Sequence, residues 1–203
     1  MNMIISAVSQ GLLWSILALG LFVSFRILDL ADMTTEGAFP LGAAVAVQAI
    51  TLGANPYIAI IFAIIAGSSA GLITGFLITK LQIPSLLAGI LTMTGLYSIN
   101  LRVMGRANIS LLGKNTIFTV FENMNLPRHF DTITLGLLVV VMIIGLYVIF
   151  FKTEFGQAVI ATGDNEAMAR SLGISTNTMK IVGLMISNGI VALAGSIIAQ
   201  DNG

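Results

Sequence analysis

The chain has 203 residues, of which 57% are hydrophobic and only 9% are charged, and its formal net charge is zero. A soluble globular domain carries roughly a quarter charged residues, so this composition excludes a protein whose whole surface faces water. It indicates an integral membrane protein. The neutral charge gives no reason to expect nucleic acid as a partner. Without cysteine, the sequence contains no disulfide, thiolate nucleophile or cysteine-based zinc site.

Six apolar runs reach or approach the length that crosses a membrane, which is roughly 20 helical residues. In chain order they are Met3–Phe25, Phe39–Leu52, Pro56–Thr79, Pro84–Leu101, Thr132–Phe151 and Ile181–Ala199. They predict an all-α fold, a polytopic bundle of about six transmembrane helices. The first run has no positive region before it and is longer than the core of a signal peptide, which predicts a retained helix.

The second run, Phe39–Leu52, is too short to span the membrane alone. It spans only if its helix continues back through the polar residues 29–36, or if the segment is broken and re-entrant. Gly37 and Pro40 would permit a break or kink at this point. We therefore expect one broken or re-entrant segment in the bundle.

The third run contains a stripe of small residues, Gly67, Gly71 and Gly75, at a spacing of four. Such a stripe lets two helix backbones approach closely. Packing within one subunit is favoured over a dedicated dimer seam.

The stretch Arg102–Asp131 is the longest that does not span. It holds an apolar patch compatible with a short amphipathic piece lying flat in the membrane interface. The residues of that patch are Ile117, Phe118, Val120 and Phe121. The single histidine, His129, has no second histidine with which to share a metal, so no metal site is predicted.

Three carboxylates precede the second run. Asp29, Asp32 and Glu36 fall at i, i+3 and i+7, so on a helix they would share one face. Ionisable groups at membrane depth are costly and usually face a protein interior or a water-filled cavity. We assign them to a translocation pathway; the alternative is an interfacial loop whose carboxylates lie in water. Asn100 and Asn188 either hydrogen-bond between helices, which we favour, or line the same path.

The polar segment between the last two runs predicts a short helix. Asp164 or Asn165 can cap its first turn, and Glu166 in that turn is favoured by the helix dipole. Arg170 lies near the other end, and Gly173 suits the left-handed closing position.

Two apolar side chains of this short helix, Met168 and Leu172, lie four residues apart on one side. An isolated helix of about two turns is marginal in water. A neighbouring protein that packs on these two side chains would stabilise it.

An ATP site is not encoded in this chain. Gly113-Lys114 is the only Gly-Lys pair, and position 108 is Asn and position 115 is Asn, so the spacing of a phosphate-binding loop fails at both ends. Energy from ATP would have to come from a partner.

Three segments resemble one known family. They are the pattern Gly-x-Ala-x-x-Ala-x-Gly-Asp-Asn-x-x-x-Ala-x-x-x-Gly-Ile from Gly156 to Ile174, the acidic segment from Asp29 to Gly42, and the segment from Leu87 to Thr94. Together they are similar to permease subunits of bacterial ABC importers of the branched-chain amino acid and ribose type. The similarity is greatest to permeases paired with tryptophan- or tyrosine-type binding proteins.

The resemblance implies a multi-pass protein of the bacterial plasma membrane, with residues 1–203 as one transmembrane permease domain. Two such subunits, as a homodimer, form the pathway for a small solute, an amino acid in this subgroup. Asp164 to Gly173 form a coupling helix that docks into an ABC ATPase subunit in the cytoplasm, which places the N-terminus outside. An extracellular substrate-binding protein delivers the solute. Family members continue for several further spans, so the resemblance also implies a chain truncated after its sixth span.

Two other functions stay open on the residues alone. An ion-coupled secondary transporter would use Asp29, Asp32 or Glu36 as its proton or sodium site. A membrane-embedded enzyme ranks last, because the carboxylates lack a nucleophile, a histidine or a metal-binding cluster beside them. We therefore expect no catalytic residues, no metal and no cofactor.

Overall fold

The computed structural model describes residues 2–105 and 130–202, together with positions 109, 111, 114 and 116–119. A π-helical turn, Val23–Ile27, extends the first helix. The helices are α1 (Asn2–Phe22), α2 (Thr34–Thr51), α3 (Pro56–Thr79), α4 (Ser85–Met104), α5 (Phe130–Lys152), α6 (Glu154–Asp164), α7 (Glu166–Ser171) and α8 (Thr176–Asn202).

Five of the described helices are long and apolar enough to cross a membrane: α1 with its π-helical turn, α3, α4, α5 and α8. The prediction of an all-α, polytopic membrane bundle is confirmed. The sixth apolar run lies in α2, which has 18 residues and rises about 27 Å, slightly less than the hydrocarbon core.

Helix α8 is the centre of the bundle. In its most apolar 18-residue window 67% of the residues are buried, against 22–33% in the other four candidate spans. Helices α1, α2 and α3 pack around it. Gly67 and Gly71 of α3 lie against the α8 backbone at Asn188 and Leu184, so closely that a Cβ on either glycine would overlap a carbonyl oxygen. The small-residue stripe thus packs inside the chain, as predicted.

The connection between α1 and α2, residues 28–33, is not helical. Asp29 adopts a φ of 53° there, in the left-handed region that non-glycine residues rarely visit. Because α2 begins only at Thr34, Asp29 and Asp32 precede the helix and Glu36 lies in its first turn. The prediction that the three carboxylates share one helical face is therefore wrong. The break lies before Gly37, and Pro40 is accommodated inside α2.

The apolar patch predicted to lie flat in the membrane interface is instead buried at its two described residues, Ile117 and Phe118. Ile117 and Phe118 are 3% and 7% exposed and belong to the largest apolar cluster, with Leu13 of α1 and Ile197 of α8. Burial against two spans removes more apolar surface from water than an interfacial position would. Outside the described residues lie Val120, Phe121 and His129.

Candidate functional site: a docking surface and a buried polar chain

The short helix predicted between the last two spans is present as α7. Its N-cap is Asn165, whose Oδ1 accepts the backbone N–H of Met168 at 2.9 Å. Gly173, with a φ of 85°, closes the helix in the left-handed conformation that glycine adopts without strain. Asp164, the other candidate cap, is the exposed last residue of α6.

The outer side of α7 presents apolar side chains to solvent. Met168 is 52% exposed and Leu172 is 70% exposed, whereas Ala169 between them is fully buried and holds the helix against the bundle. We call Met168 and Leu172 the docking surface. Adjacent exposed apolar side chains on a polar segment are typical of a protein contact.

Glu166 ties α7 to the central helix. The Lys180 ammonium group donates to Oε2 at 2.6 Å, and the Arg170 guanidinium group donates to Oε1 at 3.0 Å. The hydroxyl of Thr176 also donates to Oε1, at 3.2 Å. The hydrogen bond from Lys180 is the main cause that holds the pKa of Glu166 below its ordinary value; partial burial acts in the opposite direction. Since Thr176 and Lys180 belong to α8, these contacts join α7 directly to that helix.

Helix α6 connects the docking surface to the break between α1 and α2. One face of α6 is buried, and its Val159 packs with Leu28 and Leu184 in an apolar cluster. Gly163 lies so close to the carbonyl oxygen of Ile27 that a Cβ there would overlap it. The last turn of α6 therefore rests on the backbone where the π-helical turn ends and the break begins.

The break holds a fully buried carboxylate. Asp32 is 1% exposed, and its Oδ1 accepts the backbone N–H of Thr34 at 2.9 Å. Its Oδ2 accepts from Nδ2 of Asn188 at 2.7 Å. That nitrogen also donates to the carbonyl of Leu184 at 3.0 Å, which fixes the orientation of the amide and leaves Asn188 Oδ1 without a partner. The first turn of α2 and the centre of α8 are thus joined through one side chain.

Three threonines continue this network across the bundle. The hydroxyls of Thr34 and Thr74 are 2.7 Å apart, and the Thr74 hydroxyl lies 3.0 Å from that of Thr92. We call Asn188, Asp32, Thr34, Thr74 and Thr92 the polar chain. It links α8, the break, α2, α3 and α4, and every member is buried.

Two further pathway candidates, Glu36 and Asn100, lie between α2 and α4. Asn100 is 8% exposed, and its Nδ2 donates to the carbonyl of Gly37 at 3.3 Å. Beside them is a groove of about 410 Å³. Its lining residues are Glu36, Gly37, Pro40, Met93, Thr94, Tyr97 and Asn100.

The structure thus divides the predicted pathway residues. Asp32 and Asn188 are hydrogen-bonded to each other, Glu36 and Asn100 line one groove, and Asp29 is an exposed residue of the break. Sequence reasoning missed helix α6 and six contributors: Thr34, Thr74, Thr92, Gly163, Thr176 and Lys180. The signal that was available for Thr74 and Thr92 was a hydroxyl inside an apolar run, where every polar group needs a partner. Among the described residues, no three His, Cys, Asp or Glu side chains are arranged to hold a metal ion.

Comparison with known proteins was made on the whole chain. It is 42% identical to a tyrosine transport system permease protein of Clostridioides difficile over 200 residues, which cover 98% of the chain and 65% of that protein. It is 38% identical to an uncharacterized protein of Rickettsia prowazekii over 203 residues, which cover 100% of the chain and 70% of that protein. An autoinducer 2 import system permease protein of Yersinia enterocolitica is 31% identical over 77% of the chain and 42% of its own length. No solved structure matches.

Residues 3–203 match the family described as the permease component of branched-chain amino acid transport systems. The match includes all three segments that carried the resemblance in the sequence, residues 29–42, 87–94 and 156–174. With five apolar helices long enough to span, the chain is a multi-pass protein of the bacterial inner membrane. The chain belongs to this family of transport permeases.

Proposed function

We propose that the chain is the transmembrane subunit of an ATP-binding-cassette importer and forms, with a second copy of itself, the pathway for an amino acid. In this proposal residues 1–203 act as one permease domain. A separate ABC ATPase supplies the energy, and an extracellular binding protein delivers the solute. The observation that carries the proposal is α7, which exposes Met168 and Leu172 and is tied to the central helix through Glu166.

The ATPase contact consists of the segment Asp164 to Gly173. Met168 and Leu172 insert into a groove of the ATPase, because burying two exposed apolar side chains provides affinity. Asn165 and Gly173 set the ends of α7, and Glu166 and Arg170 keep it rigid. A rigid docking element transmits force, whereas a loop would absorb it.

Motion of α7 reaches the pathway through α6. Gly163 rests on the carbonyl of Ile27, and the next residues along the chain lead to Asp32. A shift of α6 therefore displaces the break and alters the hydrogen bond between Asp32 and Asn188. Asp29, Asp32, Glu36, Asn100 and Asn188 are the pathway residues in this proposal, with Asp29 at its exposed end.

The orientation follows from the ATPase contact. If α7 lies in the cytoplasm, Arg26, Lys80, Lys152 and Arg170 are cytoplasmic as well and the N-terminus is outside. An amino acid is the proposed solute because the relative that is 42% identical is named for tyrosine transport. The name of the relative that is 31% identical refers to autoinducer 2, a different solute.

Substitution of the docking surface tests the proposal. Met168→Asp and Leu172→Asp are expected to abolish co-purification of the cognate ATPase, because each places a charge in a desolvated contact, while the permease still inserts into the membrane. The matched control is Leu52→Asp. Leu52 is 80% exposed at the opposite end of α2, and its substitution is expected to leave the complex intact. Undiminished recovery of the ATPase with both α7 variants would disprove the assigned contact.

A further inference from the structure

The groove between α2 and α4 has an unusual balance of hydrogen-bonding groups. Nδ2 of Asn100 donates to the carbonyl of Gly37. Because a carbonyl can only accept, this bond fixes the orientation of the Asn100 amide. The atom left over is Oδ1, which is buried and has no partner. Burying an acceptor without a donor is unfavourable.

The other polar side chains of the groove are also short of donors. Glu36 is exposed and, as a carboxylate, only accepts. The Thr94 hydroxyl donates its proton to the carbonyl of Ile90 at 2.7 Å, so it can only accept a further hydrogen bond. Tyr97 carries the one side-chain hydroxyl of the lining that has no such bond. Among the described residues that line the groove there is no Lys, Arg or His.

The remaining walls are apolar. Pro40 and Met93 line the groove, and the ring of Tyr97 is 67% exposed beside them. A face rich in acceptors, with one negative charge and an aromatic ring, is complementary to a cation with N–H donors and an apolar body. For an anionic group, the Tyr97 hydroxyl is the one free side-chain donor among the described lining residues, and no cationic side chain lies beside it.

We propose that this groove is a binding site for the ammonium group of the transported solute, with the exposed Glu36 carboxylate as its acceptor and Tyr97 against its apolar part. The proposal rests on the proposed transport function and names the chemical group that this wall recognises. The carboxylate of an amino acid is recognised elsewhere, since no described lining residue offers it a charged donor.

The absence of cysteine from the sequence allows a direct test that needs no ATPase. A cysteine introduced as Thr94→Cys is the only thiol and lies in the groove. Its reaction rates with a cationic (trimethylammonium-ethyl) and an anionic (sulfonatoethyl) methanethiosulfonate are measured in phosphatidylglycerol vesicles, with and without Glu36→Gln. Leu81→Cys, in the exposed connection between α3 and α4, is the matched control.

Glu36→Gln is expected to lower the cation-to-anion rate ratio at position 94 severalfold, since removing a nearby negative charge slows the cationic reagent and speeds the anionic one. The ratio at position 81 stays the same. Met93→Cys repeats the measurement should Thr94→Cys fail to fold. An unchanged ratio at both groove positions overturns the site, as does a thiol that reacts only after denaturation.

Protection from labelling identifies the ligand. Tyramine is expected to slow labelling at position 94 severalfold, and 3-(4-hydroxyphenyl)propanoate, which lacks the ammonium group, is expected to have no effect. Equal protection by both compounds would overturn the proposal. Adding phosphatidylethanolamine to the vesicles examines the other source of an ammonium group: if the lipid protects and tyramine does not, the groove binds a headgroup and the proposal is wrong. These outcomes are independent of ATPase co-purification, so either proposal can fail alone.

Discussion

The docking surface and the polar chain lie in different parts of the molecule, and they are built in opposite ways. Around the docking surface, Glu166, Arg170, Thr176 and Lys180 satisfy one another within a short stretch of sequence, and the apolar side chains face outward. The polar chain instead takes its members from α8, the break, α2, α3 and α4, and all of them face inward.

This difference reflects how much contact with water each region has, which decides the energetic cost of a charged or polar group there. In the water-exposed segment a charge is well solvated, so an ion pair contributes little to the stability of the fold. Inside the bundle a polar atom that loses its partner costs several times more. We therefore expect substitutions in the polar chain to affect stability strongly and those around the docking surface to affect mainly association.

The largest effect is expected from the carboxylate of the polar chain. Asp32→Asn should lower the free energy of unfolding by about 2–4 kcal/mol, because an amide cannot accept at both positions and turns its own N–H towards a donor. Thermal unfolding in detergent measures this. Asp29→Asn, three residues earlier in the same connection, removes an exposed carboxylate and should change stability by less than about 0.5 kcal/mol. Equal losses in the two variants would show that burial of Asp32 has no energetic consequence.

A somewhat smaller effect is expected where α6 meets the break. Gly163→Ala should destabilise the protein by about 1–3 kcal/mol, because the new Cβ overlaps the carbonyl of Ile27 and must push the helix away. The control is Gly145→Ala in α5, where nothing lies within 4 Å of the added Cβ. Alanine in a free helical position should be neutral or slightly stabilising.

Gly163→Ala also distinguishes binding of the ATPase from transmission of its motion to the break. Gly163→Ala leaves Met168 and Leu172 in place, so the ATPase should still co-purify with the variant while solute uptake falls. Loss of ATPase binding together with uptake would mean that Gly163 supports the docking surface rather than the path to the break.

The sequence was sufficient for the parts of the molecule that depend on local order. Span length and apolar composition predicted six spans, and five of the described helices are long and apolar enough to cross a membrane. The cap at Asn165 and the closing residue Gly173 predicted α7. The start of α2 was harder, because the sequence left both a continuous helix and a broken segment open at residues 29–36, and the hydrogen bond from Thr34 N to Asp32 stabilises a turn there.

The polar chain could not be predicted from the sequence, for a different reason. Asp32 and Asn188 are separated by 156 residues, and Thr34 and Thr74 by 40. Only the packing of α2 and the segment before it against α3 and α8 brings such residues within hydrogen-bonding distance. Periodicity along one helix contains no information about the register between two helices.

The smallest effect is expected from the charge at the docking end. Because the hydrogen bond from Lys180 lowers the pKa of Glu166 in the folded protein, the stabilisation is present above the ordinary carboxyl pKa and is lost as the pH falls through the lowered value. Hydrogen exchange of the α7 amides should therefore become faster as the solution is acidified from about pH 6 towards pH 3, after correction for intrinsic exchange. In Glu166→Gln this acceleration should disappear, whereas Glu154→Gln, at the exposed start of α6, should retain it. An identical acid response in Glu166→Gln would mean that α7 is held by Ala169 and its caps alone, and that the ion pairs at this end contribute as little as exposed pairs usually do.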